Sequence, residues 1–155
     1  MNKKIHYPNT RIEVRPGDII YSSIGRSTYY VGHSVIVGTD YKIKEVIPIR
    51  QGWYEIDLIH FWARHRRGDQ LTILRSYTGA NEAATWITYN LHQFKKYTIF
   101  NHDFHNITHS YCYKFVAQAY AFGAGVCITP QSKRLLLPRD ILQSPQLEKI
   151  AIIRI

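Results

Sequence analysis

Cysteine is nearly absent from this chain, with Cys112 and Cys127 the two residues of that type among 155. So small a supply reads as reduced thiols rather than a disulfide framework, and one thiol is then available for chemistry. Long apolar runs are also missing, so no segment reads as a bilayer span. The start, "MNKKIHYPNT", carries lysines with no apolar stretch behind them and does not match a secretory signal, which makes the cytoplasm the expected compartment. Repeats, low-complexity tracts and Pro/Gly/Ser-rich linkers are lacking as well, and residues 1–155 are expected to form one domain. Acidic residues are scarce, 11 against 20 Lys plus Arg, giving a formal charge of +9 and a pI near 9.6. Attraction to polyanions follows, whether nucleic acid, anionic lipid headgroups or acidic wall polymers.

What the chain does have is apolar material at 45%, enough for a core at this length, and 12 tyrosines. "EVRPGDIIYSS" sets a Pro-Gly turn before a β-rich run, and "HSVIVG" and "YKIKEVIPI" are strand candidates separated by the turn-like "GTD". "YEIDLIHFWARHRRGD" places Ile56, Ile59 and Ala63 at helical spacing, with Gly68 as the stop. "LTILRS" reads as a strand. "GANEAATWITYNLHQFKKY" puts Ala84, Ile87, Leu91 and Phe94 on one helical stripe, "SYCYKFVAQAYAFGAG" reads as the next helix, and "LEKIAIIRI" as a closing strand. Strands and helices segregated in this way predict an α+β fold with a small antiparallel sheet.

Cys112, Phe115, Val116 and Ala119 recur at helical spacing, which turns Cys112 toward the core. Ser110 is a credible N-cap, placing Cys112 in the first helical turn, where the positive end of the helix favours a thiolate. A thiolate is a nucleophile when an imidazole stands beside it to hold and return the proton. His33, where "GHSVIVG" opens into a strand, is the candidate imidazole. Glu45, on the following strand, reaches His33 if the two strands pair as a hairpin, and a carboxylate there would fix the ring tautomer.

"PGDII" followed by "GHSVIVG" resembles the Pro-Gly-Asp strand and the His strand of NlpC-type papain-like cysteine peptidases. In the ordinary members the Cys helix precedes these strands, whereas here "YCYKFVAQAY" follows them. The order is similar to that of the circularly permuted branch, the YiiX/YebB/YaeF-like amidases, and more distantly to the lecithin:retinol acyltransferase-like enzymes. "GDIIY", "GHSVIVG", "KEVIP", "SYCYKFVAQAY" and "LPRDILQSPQLEKI" carry the likeness across most of the chain. It implies a permuted papain-like α+β fold with Cys112 as nucleophile, His33 as base and Glu45 as orienting residue. Tyr113 and Lys114 stand where many relatives have a small hydroxyl residue and an acid, and together with Tyr111 they are expected to line or flank the substrate cleft.

The expected activity is a thiol hydrolase that cleaves an amide bond, in a peptide or a peptidoglycan stem peptide, through an acyl-thioester on Cys112. Two alternatives stay open. One is acyl transfer, thioester hydrolysis or phospholipase-like action on a lipid-linked acyl group at an anionic membrane. The other is an inactive or toxin-like basic module that binds nucleic acid. Delivery or release as an effector would reconcile a wall substrate with the missing signal. No cofactor and no stable metal are expected, because His102, Asp103, His105 and His109 in "NHDFHNITH" match no zinc spacing. His109 is the fallback base. Cys127 reads as packing, Asp18 as a turn cap, and "ARHRRGD", with Arg64, His65, Arg66 and Arg67, as a solvated helix end or a phosphate contact.

Overall fold

The structure, a computed structural model, describes residues 3–23, 25, 28, 31–130 and 132–155. Part of the loop leading into the His33 strand lies outside the described residues. The chain builds β1 (Ile19–Ser22), β2 (His33–Val37), β3 (Ile43–Ile47), β4 (Gly52–Ile56), α1 (Leu58–Ala63), β5 (Gln70–Ser76), α2 (Ala80–Asn90), β6 (Lys96–Tyr97), β7 (His109–Ser110), α3 (Cys112–Ala124), α4 (Pro138–Leu142) and β8 (Leu147–Arg154). Six of the strands form one antiparallel sheet in the order β4-β3-β2-β1-β5-β8, larger than the sheet expected from the sequence. β6 and β7 pair in parallel beside it.

The sheet is covered on both faces, which explains why its central strands read as continuous apolar runs rather than as an alternation. One core cluster joins Ile19, Ile36, Val46 and Leu74 to Ala83 and Ile87 of α2 and Phe115, Val116 and Ala119 of α3. The other packs Ile20, Val35, Val37 and Ile73 against Tyr7, Val14, Phe61 and Trp62. Asp18 is wholly buried between these layers. It caps the Pro-Gly turn by accepting from the Arg15 N–H at 3.0 Å, and also takes a two-pronged bond from Arg75, Nε to Oδ1 at 2.7 Å and Nη2 to Oδ2 at 2.8 Å. A Pro-Gly-Asp turn is thus also an internal ion pair, holding the start of β1 to β5.

Two sequence expectations are corrected. Ile56 belongs to strand β4, opposite Ile43, and the helix begins only after Asp57, so Ile59 is exposed and the buried residues of α1 are Phe61 and Trp62. Pairing with β3 overrode the helical spacing. Ser110 is not the N-cap of α3: it sits in β7 and its hydroxyl donates to Gln118 at 2.8 Å, while Tyr111 takes the cap position in extended conformation. Cys112 is nonetheless the first residue of the helix.

Candidate active site

β2 and β3 form the hairpin anticipated around "GTD", with Ile36 opposite Lys44 and Val37 opposite Ile43. That register carries Glu45 toward the start of β2, and Glu45 Oε2 lies 2.7 Å from His33 Nε2. A buried carboxylate only accepts, so His33 carries its proton on Nε2 and turns Nδ1 to the remaining partner. That partner is the Cys112 side chain, which hydrogen-bonds the ring. Cys112 is fixed to the same strand one residue further on, because Ser34 Oγ donates to the Cys112 carbonyl at 2.9 Å. The first turn of α3 and the first turn of β2 are thereby locked together. Gly32 makes the junction possible: its φ is +74°, and a Cβ there would stand 2.7 Å from the Tyr113 hydroxyl.

The electrostatics follow from this arrangement. Burial works against a charged His33, but hydrogen bonds to Cys112 and Glu45 and the negative charge of both outweigh it, pushing the imidazole up to about 9. Burial likewise opposes the Glu45 carboxylate, and His33 and Arg64 outweigh it to hold the group below its usual range. Arg64 was legible in the sequence only as part of a basic helix end. In the structure its Nη2 donates to Glu45 Oε2 at 2.8 Å, so one carboxylate oxygen serves both His33 and Arg64. The other oxygen, Oε1, is buried and has no partner among the described residues.

Tyr21, Tyr97, Tyr111 and Tyr113 surround the thiol, and burial followed by the charge of Cys112 keeps their hydroxyls protonated well into alkaline pH. Tyr111, Tyr113 and Lys114 are all buried. The Tyr111 hydroxyl accepts from the Leu136 N–H, Tyr113 donates to the Val31 carbonyl, and Lys114 donates to the carbonyls of His109 and Asn101. None of the three lines the cleft beside His33. That cleft, about 150 Å³, is walled by His33, Arg64, Tyr97, Val31, Ile47 and Ile49. Tyr97 and Ser34 carried no local motif, since each meets the site only through tertiary contacts.

The remaining sequence candidates lie apart. His102 bonds the Arg134 carbonyl and His105 faces Asp103 on the surface, while His109 Nδ1 is buried without a partner among the described residues. Cys127 is exposed in the loop after α3, and neither cysteine is in a disulfide. Among the described residues no helix is long and apolar enough to cross a membrane.

The frame that holds this site is a mixed α+β fold with an antiparallel sheet packed against helices. It is a YiiX-like fold: the chain superposes on the crystal structure of the metalloprotein yiiX from Escherichia coli O157:H7 (DUF1105) with a TM-score of 0.66 at 16% identity, over 91% of this chain and 98% of that one. No family model and no curated protein matches the chain. Among the described residues no three His, Cys, Asp or Glu side chains come together so as to hold a metal ion.

Proposed function

We propose that the chain, over residues 1–155, is a thiol hydrolase of permuted papain-like type that cleaves an amide bond in a peptide or a peptidoglycan stem peptide. The observation that carries this reading is the row Cys112, His33, Glu45, with the 2.7 Å bond behind the imidazole. In this row the Cys112 thiolate attacks the acyl carbon, and the backbone N–H of Cys112, at the start of α3, donates to the oxyanion. Imidazolium His33 passes its proton to the leaving amine, the C–N bond breaks, and an acyl-thioester remains on Cys112. Water then attacks the thioester while His33 takes its proton; the C–S bond breaks and the thiolate and imidazolium are restored with the free acid. Glu45 stays ionised throughout and keeps the ring oriented. Because Tyr111, Tyr113 and Lys114 are buried, we assign substrate contact to the residues that wall the cleft.

A second reading, a lipid-linked acyl substrate at an anionic membrane, is favoured by Val31 and Ile49, which wall the cleft yet stay 52% and 70% exposed. Release of fatty acid from anionic vesicles would select it over the peptide amidase.

The first test is the rate of iodoacetamide labelling at Cys112 and Cys127, followed by mass spectrometry, in wild type and His33→Ala. Labelling at Cys112 is expected to be the faster, and to slow in His33→Ala with no change at Cys127. Equal rates at the two cysteines, unaffected by the substitution, would contradict the reading.

A further inference from the structure

Arg64 stands at the junction of the site and the cleft, and it is held in an unusual way for an arginine beside a buried carboxylate. Arg75 shows the closed form in this same protein: Nε and Nη2 take separate oxygens of Asp18, Nη2 also reaches the Glu13 carbonyl, and the side chain is 16% exposed. Arg64 touches Glu45 through Nη2 alone, leaves Glu45 Oε1 without a partner among the described residues, and keeps 35% of its side chain exposed. Its guanidinium carbon stands 5.0 Å from the centroid of the Phe61 ring, which steadies the group without using its N–H edges. Nε and Nη1 therefore have no acceptor among the described residues; Nη2 carries two hydrogens, so with one given to Glu45 the other still completes a paired edge with Nε or Nη1, and the side chain is part of the cleft wall. Among the described residues the wall carries the apolar Val31, Ile47, Pro48 and Ile49 beside it and contains no carboxylate. A guanidinium edge presents parallel N–H donors that match the two oxygens of a carboxylate.

We propose that Arg64 recognises a carboxylate on the substrate, so that the preferred substrates are acyl compounds carrying an apolar group and a carboxylate close to the scissile carbonyl. This rests on the thiol-hydrolase reading and narrows its substrate class. Arg64 then has two contacts on two edges: Glu45 on one, which positions the row, and the substrate anion on the other. Because Glu45 is already paired with His33, the outward edge keeps most of its attraction for an anion.

The test uses two alkylating probes of nearly equal size, iodoacetate and iodoacetamide, on the intact chain, with the site of modification read by mass spectrometry. The ratio of their rates at Cys112 isolates anion recognition, because a loss of positioning slows both reagents together. Arg64→Gln is expected to lower that ratio by about fivefold, the upper end for an ion pair still open to solvent. Arg64→Lys keeps a cation beside Glu45 if the glutamine variant does not fold, and with no second edge it is also expected to lower the ratio, by less. The ratio at Cys127 should be the same in all variants. A Cys112 ratio unchanged in both variants, with iodoacetamide still reacting fast, would overturn the carboxylate site and leave the thiol-hydrolase reading standing. Slow reaction of Cys112 with both reagents in wild type would overturn both.

Discussion

Glu45→Gln isolates the charge behind His33 while preserving the shape of the side chain. An imidazole held at about 9 instead of near 6.5 carries roughly 3 kcal/mol of preference for its charged form. Cys112 and Glu45 supply that preference through a hydrogen bond and a charge each, against the penalty of burial. Removing the Glu45 charge should lower the His33 midpoint by on the order of one pH unit, which amounts to about tenfold in the imidazolium population well above the midpoint. The assay is the titration of ¹³C-labelled histidine by NMR, with His33 assigned from the spectrum of His33→Ala. The His33 midpoint is expected to move from about 9 toward about 8. Amide hydrolysis at pH 9, where half of the wild-type imidazole is charged, should fall by about fivefold with it. A midpoint unchanged in a folded Glu45→Gln variant would refute the electrostatic role given to the carboxylate, and with it the account of why His33 is charged.

The same imidazole sets two pH dependences. Its folded pKa lies above its unfolded value, so the stability it contributes is fully present below about 6.5 and is lost as pH rises through about 9; urea unfolding free energies should decline across that window. Acylation should lose its alkaline limb near the same value, because the imidazolium is the proton source for the leaving amine, and stopped-flow acylation at limiting substrate would show it. Arg75→Met leaves the wholly buried Asp18 with the Tyr7 hydroxyl and the Arg15 N–H but without its cation, and should destabilise by about 3–5 kcal/mol at pH 7 in urea; a loss below about 1 kcal/mol would refute the weight given to this ion pair. Gly17→Ala places a methyl group 2.3 Å from the Ala80 carbonyl oxygen at a φ of +88°, and should lower stability by more than about 2 kcal/mol in the same assay.

The hairpin that joins His33 to Glu45 was legible because both strands and the "GTD" turn between them are local, and a hairpin leaves few registers to choose from. The start of α3 was legible for a similar reason, since the apolar spacing from Cys112 to Ala119 has a single helical solution. Its cap was not, because Ser110 is claimed by Gln118 from further along the same helix. Ile56 shows the opposite failure: a spacing that suits a helix was overridden by cross-strand pairing with Ile43, which no window along the sequence contains. Arg64 and Ser34 were missed as members of the site because their partners, Glu45 and the Cys112 carbonyl, lie on other elements. Tyr113 and Lys114 looked like cleft residues by their place beside Cys112, but each points into the protein to satisfy a backbone carbonyl.

The measurement that bears most directly on the central claim is intact-mass and peptide mass spectrometry of the protein quenched in acid within seconds of mixing with an activated acyl ester. The account predicts one acyl group per chain, attached to Cys112, absent in Cys112→Ala and formed more slowly in His33→Ala. Acylation at Cys127 or at lysines with Cys112 unmodified, or an adduct on Cys112 that forms equally fast without His33, would contradict it.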